Sequence, residues 1–426
     1  MPTHVETLAN GLKVILRPIP DAKALSTWVT YRIGSRNERP GMTGSTHWVE
    51  HMLFKGGGKL KKGDVDKMVS RLGGKFNAFT DTDFTSYFTT LPASAMDTAL
   101  MIESERMRNA AFDPREVDAE RTVVISEREG AENQPEFLVE EELWGLAFHV
   151  HPYHWTPIGY KQDLATLARD PLYDHYLRYY APNNAHLVLV GGFDVAVAMQ
   201  HVREAFGPLK PEAPPEPMRL EEPEQRGERR SDLSRPAAAD LFAAAWHVPS
   251  FGHEETPALI VLATILGGWR GFVPFAAGGW HSRANRLYRA LVDTKLATDV
   301  SARLETKIDP GLLAVNATLA PKVPFNRVES VLDAEVERLR KTPPSKAELD
   351  RAKQQVHAWH GYEQDGVTFQ GVLLSVMEAL SSWDAAEQVV ARVEKVKADH
   401  VRDVARRYLV DEHRTVVRFH AQEVPA

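Results

Sequence analysis

A stretch rich in proline and glutamate near the middle of the chain divides its 426 residues into two parts. Between 211 and 236 the chain carries several prolines among Glu and Arg and few apolar residues, as extended, exposed connections do. Because 426 residues are too many for one hydrophobic core, we expect separate domains on either side. The predicted organisation is an N-terminal domain over 1–210, a linker over 211–236 and a C-terminal domain over 237–426.

The segments on either side of this linker look alike. Residues 26–33 and 240–247 both have the composition of buried strands, and 185–190 is echoed by 414–419 near the end of the second half. Each of these two final strands follows a segment with a helical pattern and an aromatic end. We therefore predict an internal duplication of one α+β unit.

The pentapeptide from His47 to His51, His-Trp-Val-Glu-His, sets two imidazoles four residues apart with a carboxylate before the second. On an α-helix this spacing brings both histidines to one face, where they can share a metal ion. Glu50 lies on nearly the same face, within reach of a metal-bound water. The order is the inverted form of the commoner His-Glu-x-x-His zinc protease motif. Because so short a pattern also occurs by chance, its surroundings decide how it is interpreted.

These surroundings favour a buried helix. Residues 43–45 offer N-cap types, and an apolar run from Trp48 to Phe54 is followed by the glycines 56–58. A helix that is apolar over most of its surface is buried, and polar groups buried with it need partners. The alternative to a metal site is a pair of hydrogen-bonded core histidines beside a salt-bridged glutamate.

A catalytic zinc usually has three protein ligands and a water, so a third ligand is expected elsewhere in the chain. The best local candidate is the segment 118–129, where Glu120 and Glu127 lie two helical turns apart with Val123 and Val124 between them. Two carboxylates on an apolar stripe are unusual for a solvated helix. An ordinary surface helix with arginine ion-pair partners remains the alternative interpretation.

Together these motifs resemble the pitrilysin or insulinase-like (M16) zinc metallopeptidases, which include the mitochondrial processing peptidases. The resemblance rests on His47, Glu50 and His51 followed by Glu127, with Glu120 two turns before it. It covers nearly the whole N-terminal half through the segments 10–14, 34–38, 77–80, 85–87, 151–153, 158–159 and 179–184. It implies a zinc ion held by His47, His51 and Glu127, with Glu50 as general base and Glu120 orienting the ligands.

The resemblance also implies a fold and an activity. The fold would be α+β with two homologous domains, each an antiparallel-rich sheet flanked by helices. The activity would be zinc-dependent hydrolysis of peptide bonds in extended peptides or unfolded segments enclosed in a clamshell chamber, with Zn²⁺ as the cofactor. The chain would be the zinc-bearing subunit of a two-subunit enzyme of this family.

A candidate substrate strand follows the histidine motif. Residues 75–88 alternate apolar with polar or small side chains, as a strand does. In the resembled family the corresponding strand is an edge strand near the zinc, and the substrate adds to it by main-chain hydrogen bonds. Asn77, Ala78 and Phe79 are therefore the expected substrate contacts. A hairpin strand without a ligand is the alternative.

The second half has no equivalent metal site. In place of the histidine motif it runs from Ala258 to Gly268 as an apolar helix without a ligand residue. Family members that act alone carry an Arg and a Tyr in this domain, where this chain has Val292 and Thr298. This difference predicts a heterodimer with a homologous subunit that supplies the missing pair. Residues 269–281 look like an insertion that lines the chamber or the subunit contact, or forms a surface loop.

Two other motifs are interpreted as structural. Gly56–Gly58, near several lysines, follows a helix, whereas phosphate-binding loops precede one. His149, His151 and His154 have the residue type of a second metal site, but the family match accounts for 151–153 as a structural turn.

Composition narrows the function further. A formal net charge of -7 and a sequence pI near 6.2 leave no basic stripe for nucleic acid. No apolar run approaches membrane length and the N-terminus lacks a signal-peptide pattern, so we expect no membrane partner and a cytoplasmic location. The absence of Cys excludes disulfides and thiolate ligands. Two functional classes remain: a zinc endopeptidase, and a non-catalytic structural or core subunit of an M16-like complex.

Overall fold

The computed structural model describes residues 3–269, 271–273 and 283–422, and its contacts divide the chain into two compact units. The first unit comprises three segments: Met1–Gly130, Trp155–Leu220 and Gln364–Trp383. The second also comprises three: Ala131–His154, Glu221–Glu363 and Asp384–Ala426. Each unit therefore takes one segment from the opposite half of the chain.

The first unit contains a six-stranded mixed sheet. Its strands in chain order are β1 (His4–Thr7), β2 (Lys13–Pro18), β3 (Ala24–Tyr31), β4 (Lys75–Thr80), β5 (Thr85–Pro92) and β6 (Ala185–Gly191). Their order across the sheet is β1-β2-β6-β3-β5-β4. The pair β2 and β6 is parallel and the other neighbours are antiparallel. The strand β4 is therefore an edge strand, paired with β5.

The helices of the first half of the chain are α1 (Ser45–Met52), α2 (Asp64–Arg71), α3 (Met96–Arg108), α4 (Pro114–Glu132), α5 (Pro135–Ala147), α6 (Lys161–Thr166), α7 (Arg169–Tyr179) and α8 (Val195–Phe206). Of these, α5 belongs to the second unit. The apolar side chains of β3 and α1 join one buried cluster in the first unit, so the histidine helix is anchored on the sheet by its core.

The second unit contains a five-stranded sheet. Its strands are β7 (Arg229–Pro236), β8 (Leu241–Val248), β9 (Ala297–Leu304), β10 (Gly311–Leu319) and β11 (Arg414–Gln422). Their order is β7-β11-β8-β10-β9, with β7 parallel to β11 and the other neighbours antiparallel. Both sheets therefore have a parallel pair followed by antiparallel strands, as a duplicated unit would.

Helices from the second half complete the two units. They are α9 (Thr256–Leu266), α10 (Phe325–Lys341), α11 (Lys346–Glu363), α12 (Gly366–Leu380), α13 (Ala385–Val393) and α14 (Ala398–Tyr408). The segment predicted as an apolar helix forms α9, and every residue of α9 is buried. A helix buried on all sides is a packing element, which explains why it carries no polar ligand.

The two units exchange a helix. In the first unit α12 packs on β3 and β6, and in the second α5 packs on β8 and β11. Within α12, Gly371 lies so close to the indole of Trp28 that a Cβ there would be 2.3 Å from its Nε1 atom. The buried Glu378 carboxylate forms salt bridges with Lys13 (2.7 Å) and Arg32 (3.0 Å). Close packing and paired charge therefore hold α12 on the sheet.

Two mixed sheets, each with its helices, confirm the predicted α+β fold with two domains of like architecture. The structure differs from expectation at the end of the linker, because residues 229–236 form β7. This strand lies at the edge of its sheet, with side chains that are half-buried or exposed, so a polar sequence can form it. The domain limits at 210 and 237 otherwise stay a prediction.

Part of the predicted 269–281 insertion is described. The rings of Trp269 and Phe272 meet edge to face, 5.3 Å apart, and the Glu363 carboxylate accepts hydrogen bonds from the backbone N–H groups of Phe272 and Val273. Residue 270 and residues 274–281 lie outside the described part of the chain. Among the described residues, no helix has both the length and the apolar character needed to cross a membrane.

Candidate metal centre

The helix that carries the two histidines begins after a glycine. Gly44 has a φ of 82°, and a Cβ there would lie 2.6 Å from the carbonyl oxygen of Ile158, so only glycine suits the position. Because glycine has no side chain, Gly44 cannot cap the helix with one. Instead the buried Glu38 carboxylate accepts hydrogen bonds from the N–H groups of Gly44 (2.8 Å) and Thr46 (2.7 Å). A residue well before the expected cap at 43–45 thus fixes the start of α1.

The helix α1 has a buried apolar face and a more accessible polar face. Trp48, Val49 and Met52 have no exposed surface and belong to the core of the first unit. The side chains of His47 and His51 are 18% and 16% exposed. Their ring centroids lie 4.7 Å apart, so the four-residue spacing does bring both imidazoles to one face.

The third candidate ligand comes from α4. Glu127, with a side chain 44% exposed, lies beside both imidazoles, and the buried Glu120 contacts His51 from one side. The two-turn spacing therefore turns both carboxylates toward α1, as predicted. The apolar stripe is narrower than expected, because Val124 is buried whereas Val123 is 42% exposed.

Three possible ligand atoms converge at one point. The Nε2 atoms of His47 and His51 are 3.3 Å apart, and Glu127 Oε2 lies 3.3 Å from His51 Nε2 and 3.8 Å from His47 Nε2. Zinc bonds to nitrogen and oxygen are about 2.0–2.1 Å long, so two ligands of a tetrahedral zinc are about 3.4 Å apart. The two separations of 3.3 Å match that edge length, and the separation of 3.8 Å between Glu127 and His47 is somewhat longer. These residues therefore fit a zinc ion with three protein ligands and one further position.

A second carboxylate fixes the tautomer of His51. Its Nδ1 lies 2.9 Å from Glu120 Oε1, so Nδ1 is assigned as the protonated donor and Nε2 keeps its lone pair toward Glu127. The other oxygen of Glu120 lies 2.5 Å from Lys55 Nζ. A metal-binding histidine usually donates its other N–H to such a carboxylate, so this contact also fits a metal site.

His47 has no such partner among the described residues. Its Nδ1 atom is buried without a described hydrogen bond. Burial, with a smaller effect from His51, lowers the pKa of His47 to about 3. The imidazole is therefore neutral at ordinary pH, which is the form that binds a metal.

Glu50 points to the end of β4. Its carboxylate is buried, and Thr80 Oγ1 donates a hydrogen bond of 2.6 Å to Oε2. Burial raises the pKa of Glu50 to about 6, and the hydrogen bond from Thr80 opposes that effect. A carboxyl group with a pKa near neutrality is suited to take up and release a proton.

The predicted substrate residues lie in the edge strand that ends at Thr80. Within this strand Ala78 is buried, Asn77 is exposed and Phe79 is half-buried. A cleft of about 320 Å³ beside the strand is lined in part by Phe76 and Asn77. The strand therefore lies next to Glu50 through Thr80, whereas the substrate-binding roles of 77–79 stay a prediction.

The other candidate residues are placed as follows. Val292 ends a short helical turn and is half-buried, and Thr298 is exposed in β9. His151 hydrogen-bonds Asp309 through Nε2 at 2.9 Å, and the Glu222 carboxylate accepts the backbone N–H groups of 149–151. This histidine segment is a structural turn, as predicted. Among the described residues, the ligand-type cluster found is that of His47, His51 and Glu127.

Sequence reasoning missed three residues that hold this site: Glu38, Lys55 and Thr80. Only Thr80 carried a usable signal, because it alternates with Ala78 in a predicted strand and so lies on the same face. The pairing of Lys55 with Glu120, and of Glu38 with the start of α1, depends on how separate segments meet.

These features define a class: α+β metallohydrolases whose metal ligands come from an inverted His-x-x-Glu-His helix and a glutamate on a second helix. Sequence comparison agrees with the class. Residues 13–156 match the family described as insulinase (peptidase family M16), and residues 166–356 match the peptidase M16 inactive domain.

Individual relatives cover most of the chain. It is 31% identical over 361 residues to the zinc protease PqqE of Helicobacter pylori, which covers 83% of this chain and 78% of that protein. It is 26% identical over 416 residues to the probable mitochondrial-processing peptidase subunit beta of Arabidopsis thaliana, which covers 96% and 76% of the two chains. The chain therefore belongs to peptidase family M16, as its motifs predicted.

Solved structures agree with this assignment. The crystal structure of a protease from Helicobacter pylori is similar with a TM-score of 0.92 at 27% identity, over 98% of this chain and 99% of that one. The structure of a peptidase M16 inactive domain from Pseudomonas fluorescens has a TM-score of 0.87 at 16% identity, over 100% of both chains. The second likeness shows the fold alone.

Proposed function

We propose that this protein is a zinc-dependent endopeptidase that hydrolyses peptide bonds in extended peptides or unfolded segments. The observation that carries the proposal is the convergence of possible ligand atoms of His47, His51 and Glu127 within 3.3 to 3.8 Å of one another, on the face of α1 that also bears Glu50. The zinc protease named among its relatives supports the same activity.

Each residue has a distinct role in the proposed reaction. Zinc, when bound, would supply a Lewis acid that polarises a peptide carbonyl and lowers the pKa of a bound water to about 7. His47, His51 and Glu127 would hold the ion, and Glu120 would keep His51 in the tautomer that binds it. Glu50 would take the proton of the attacking water and pass it to the leaving amine.

The open edge of β4 supports binding of extended substrates. An edge strand has unpaired main-chain groups, so a peptide can add to it as a further strand. Asn77, Ala78 and Phe79 would contact such a peptide, and the cleft lined by Phe76 and Asn77 would receive a side chain. Recognition through the main chain predicts broad sequence preference. Enclosure of the substrate in a clamshell chamber is part of the same proposal and rests on the family resemblance.

We further propose that a homologous partner subunit completes the enzyme. The support is that Val292 and Thr298 stand where self-sufficient family members have Arg and Tyr. A relative is named as a subunit, the beta subunit of the mitochondrial-processing peptidase, which agrees with this view. A cytoplasmic location likewise remains a proposal.

The competing function is a non-catalytic structural or core subunit of an M16-like complex. A subunit without catalytic work would have no need of a complete ligand set. Here two histidines, a glutamate and a carboxylate partner for His51 are all present and converge. This ligand set favours the enzyme.

Removal and return of the metal tests the proposal. The purified protein should cleave an unfolded protein substrate, lose that activity when a chelator removes its zinc, and recover it when about one zinc per chain is returned. The cleavage products and the zinc content are measured on the same samples. Zinc-free protein that cleaves at the original rate would contradict the proposal, and so would zinc-loaded protein, tested with its partner, that does not cleave at all.

A further inference from the structure

Thr80 contacts the candidate general base, Glu50, and belongs to the edge strand β4. Its Oγ1 donates a hydrogen bond of 2.6 Å to Glu50 Oε2, and no other described side chain is hydrogen-bonded to that carboxylate. Thr80 is also the last residue of β4, whose described partner in the sheet is β5. One residue therefore touches both the buried carboxylate and the edge at which a peptide would bind.

The direction of the main chain at Thr80 follows from the hairpin. The N–H of Asp81 donates to the carbonyl of Phe84 at 2.8 Å, so these two residues form a hydrogen-bonded pair. In an antiparallel ladder, hydrogen-bonded pairs alternate with pairs whose main-chain groups point away from the partner strand. The register of β4 and β5 therefore turns the N–H and C=O groups of Thr80, Ala78 and Phe76 toward the open edge.

We propose that Thr80 is a positioning residue that couples binding of the substrate strand to the orientation of Glu50; this inference rests on the proposed function. A peptide paired with β4 bonds the main chain of Thr80 and thereby fixes its φ and ψ. Because threonine is β-branched, its backbone conformation limits χ1 and so the direction of Oγ1. Bound substrate thus holds one oxygen of Glu50 in place and leaves the other to accept the proton of the attacking water.

In the free protein, β4 is paired on one side, and this explains why substrate binding can affect the orientation of Glu50. The N–H and C=O groups of Thr80 face the open edge of β4, and a strand paired on one side opens more readily than one paired on both sides. Without substrate, the hydrogen bond to Glu50 is made by a residue whose backbone is only partly restrained. With substrate, both sides of β4 are paired, so the hydrogen bond from Thr80 holds the Glu50 carboxylate more firmly than in the free protein.

The first test removes the hydroxyl while it keeps the side-chain shape. In the full chain loaded with zinc, Thr80→Val should lower kcat on an extended fluorogenic peptide by about 10- to 100-fold, with little change in KM or zinc content. Thr80→Ser keeps the hydroxyl and should recover most of kcat. Thr90→Val is the matched control, because Thr90 lies on β5 and its hydroxyl bonds Ser26 and Thr368. It should leave kcat unchanged.

The second test can be decided on the unmodified protein and is repeated on Thr80→Val where that variant folds. It uses a series of substrate peptides. In each peptide one backbone amide is replaced by an ester, and the position of the ester differs by one residue from one peptide to the next. In the unmodified protein, the ester that removes the bond to Thr80 should lower kcat as well as raise KM. In Thr80→Val the same ester should no longer affect kcat, since coupled contributions are not additive. This series decides the matter if Thr80→Val does not fold.

The outcomes separate the two proposals. If the unmodified zinc-loaded protein, tested with its partner, has no zinc-dependent cleavage, the proposed function fails. If it cleaves, and Thr80→Val keeps kcat or Thr80→Ser behaves like Thr80→Val, the coupling alone is wrong. An ester series that changes KM at every position and kcat at none would also overturn the coupling.

Discussion

At the scale of single residues, the site depends on a chain of contacts behind the ligands. Lys55 contacts one oxygen of Glu120, and the other oxygen accepts the Nδ1–H of His51. Because Nδ1 carries the proton, Nε2 presents a lone pair toward Glu127. The buried Glu120 therefore decides which nitrogen of His51 is available to a metal.

Removal of Glu120 should weaken metal binding without removing a ligand. We expect Glu120→Ala to lower zinc affinity by about 10- to 100-fold, because His51 loses the partner that fixes its tautomer and ring orientation. Competition with a zinc-binding dye measures the affinity. Glu116→Ala is the matched control on the same helix, since Glu116 pairs with the exposed Lys62, and it should leave the affinity unchanged. Equal affinity in Glu120→Ala and the unmodified protein would show that Glu120 does not orient the site.

The sequence predicts some residues of the site and not others. Helical spacing places His47, Glu50 and His51 on one face, and the family resemblance then singled out Glu127, with Glu120 two turns before it. The alternation of β4 indicates the face on which Thr80 lies but not that it meets Glu50, and no local period indicates that Lys55 meets Glu120. Which residues a folded chain brings together is tertiary information.

At the scale of elements, the exchanged helix α12 is needed to cover the first sheet. It packs on β3 and β6, and all its residues from Gly371 to Leu380 are buried. Sequence reasoning predicted the duplication but not this exchange, because an apolar helix shows that it is buried and not which sheet buries it. The strand β7 was not predicted because its sequence is polar, and an edge strand can be as polar as a linker.

The close approach of α12 to Trp28 can be tested by adding a side chain. We expect Gly371→Val to lower the free energy of unfolding by about 1–3 kcal/mol, because the new Cβ would overlap the indole of Trp28. Urea unfolding followed by tryptophan fluorescence measures the change. Gly361→Val is the matched control, since Gly361 lies in the helix α11 and a Cβ there meets nothing within 4 Å. Equal stability of the two variants would mean that α12 does not pack as described.

At the scale of the whole molecule, the candidate metal site lies in the first half of the chain, and the described residues of the second half form no such site. The helix α9 is apolar and fully buried, and Thr298 is an exposed threonine on β9. In the part of the second half that the structure describes, no cluster of metal ligands is found, and Val292 and Thr298 stand where the resemblance expects the Arg and Tyr. This is the physical basis for the proposed partner.

The partner proposal predicts weak activity for the isolated chain. We expect the purified chain to cleave extended peptides with kcat/KM below about 10⁴ M⁻¹s⁻¹, the lower end of the ordinary enzyme range. The double variant Val292→Arg with Thr298→Tyr should raise this value, because it restores the residue types that the resemblance places there. Cleavage is followed with the same peptide in both proteins. A zinc-loaded chain that alone reaches the ordinary range would remove the need for a partner.

In the proposed enzyme, zinc held by His47, His51 and Glu127 acts together with Glu50 to hydrolyse peptide bonds. The most direct measurement is the cleavage rate and zinc content of Glu50→Gln beside those of the unmodified protein, both tested under conditions in which the unmodified protein is active. Because glutamine keeps the size of the side chain but accepts no proton, the rate should fall by about 10²- to 10⁴-fold while about one zinc per chain remains bound. A Glu50→Gln protein that keeps its zinc and cleaves at the original rate would show that Glu50 is not the general base of the peptidase.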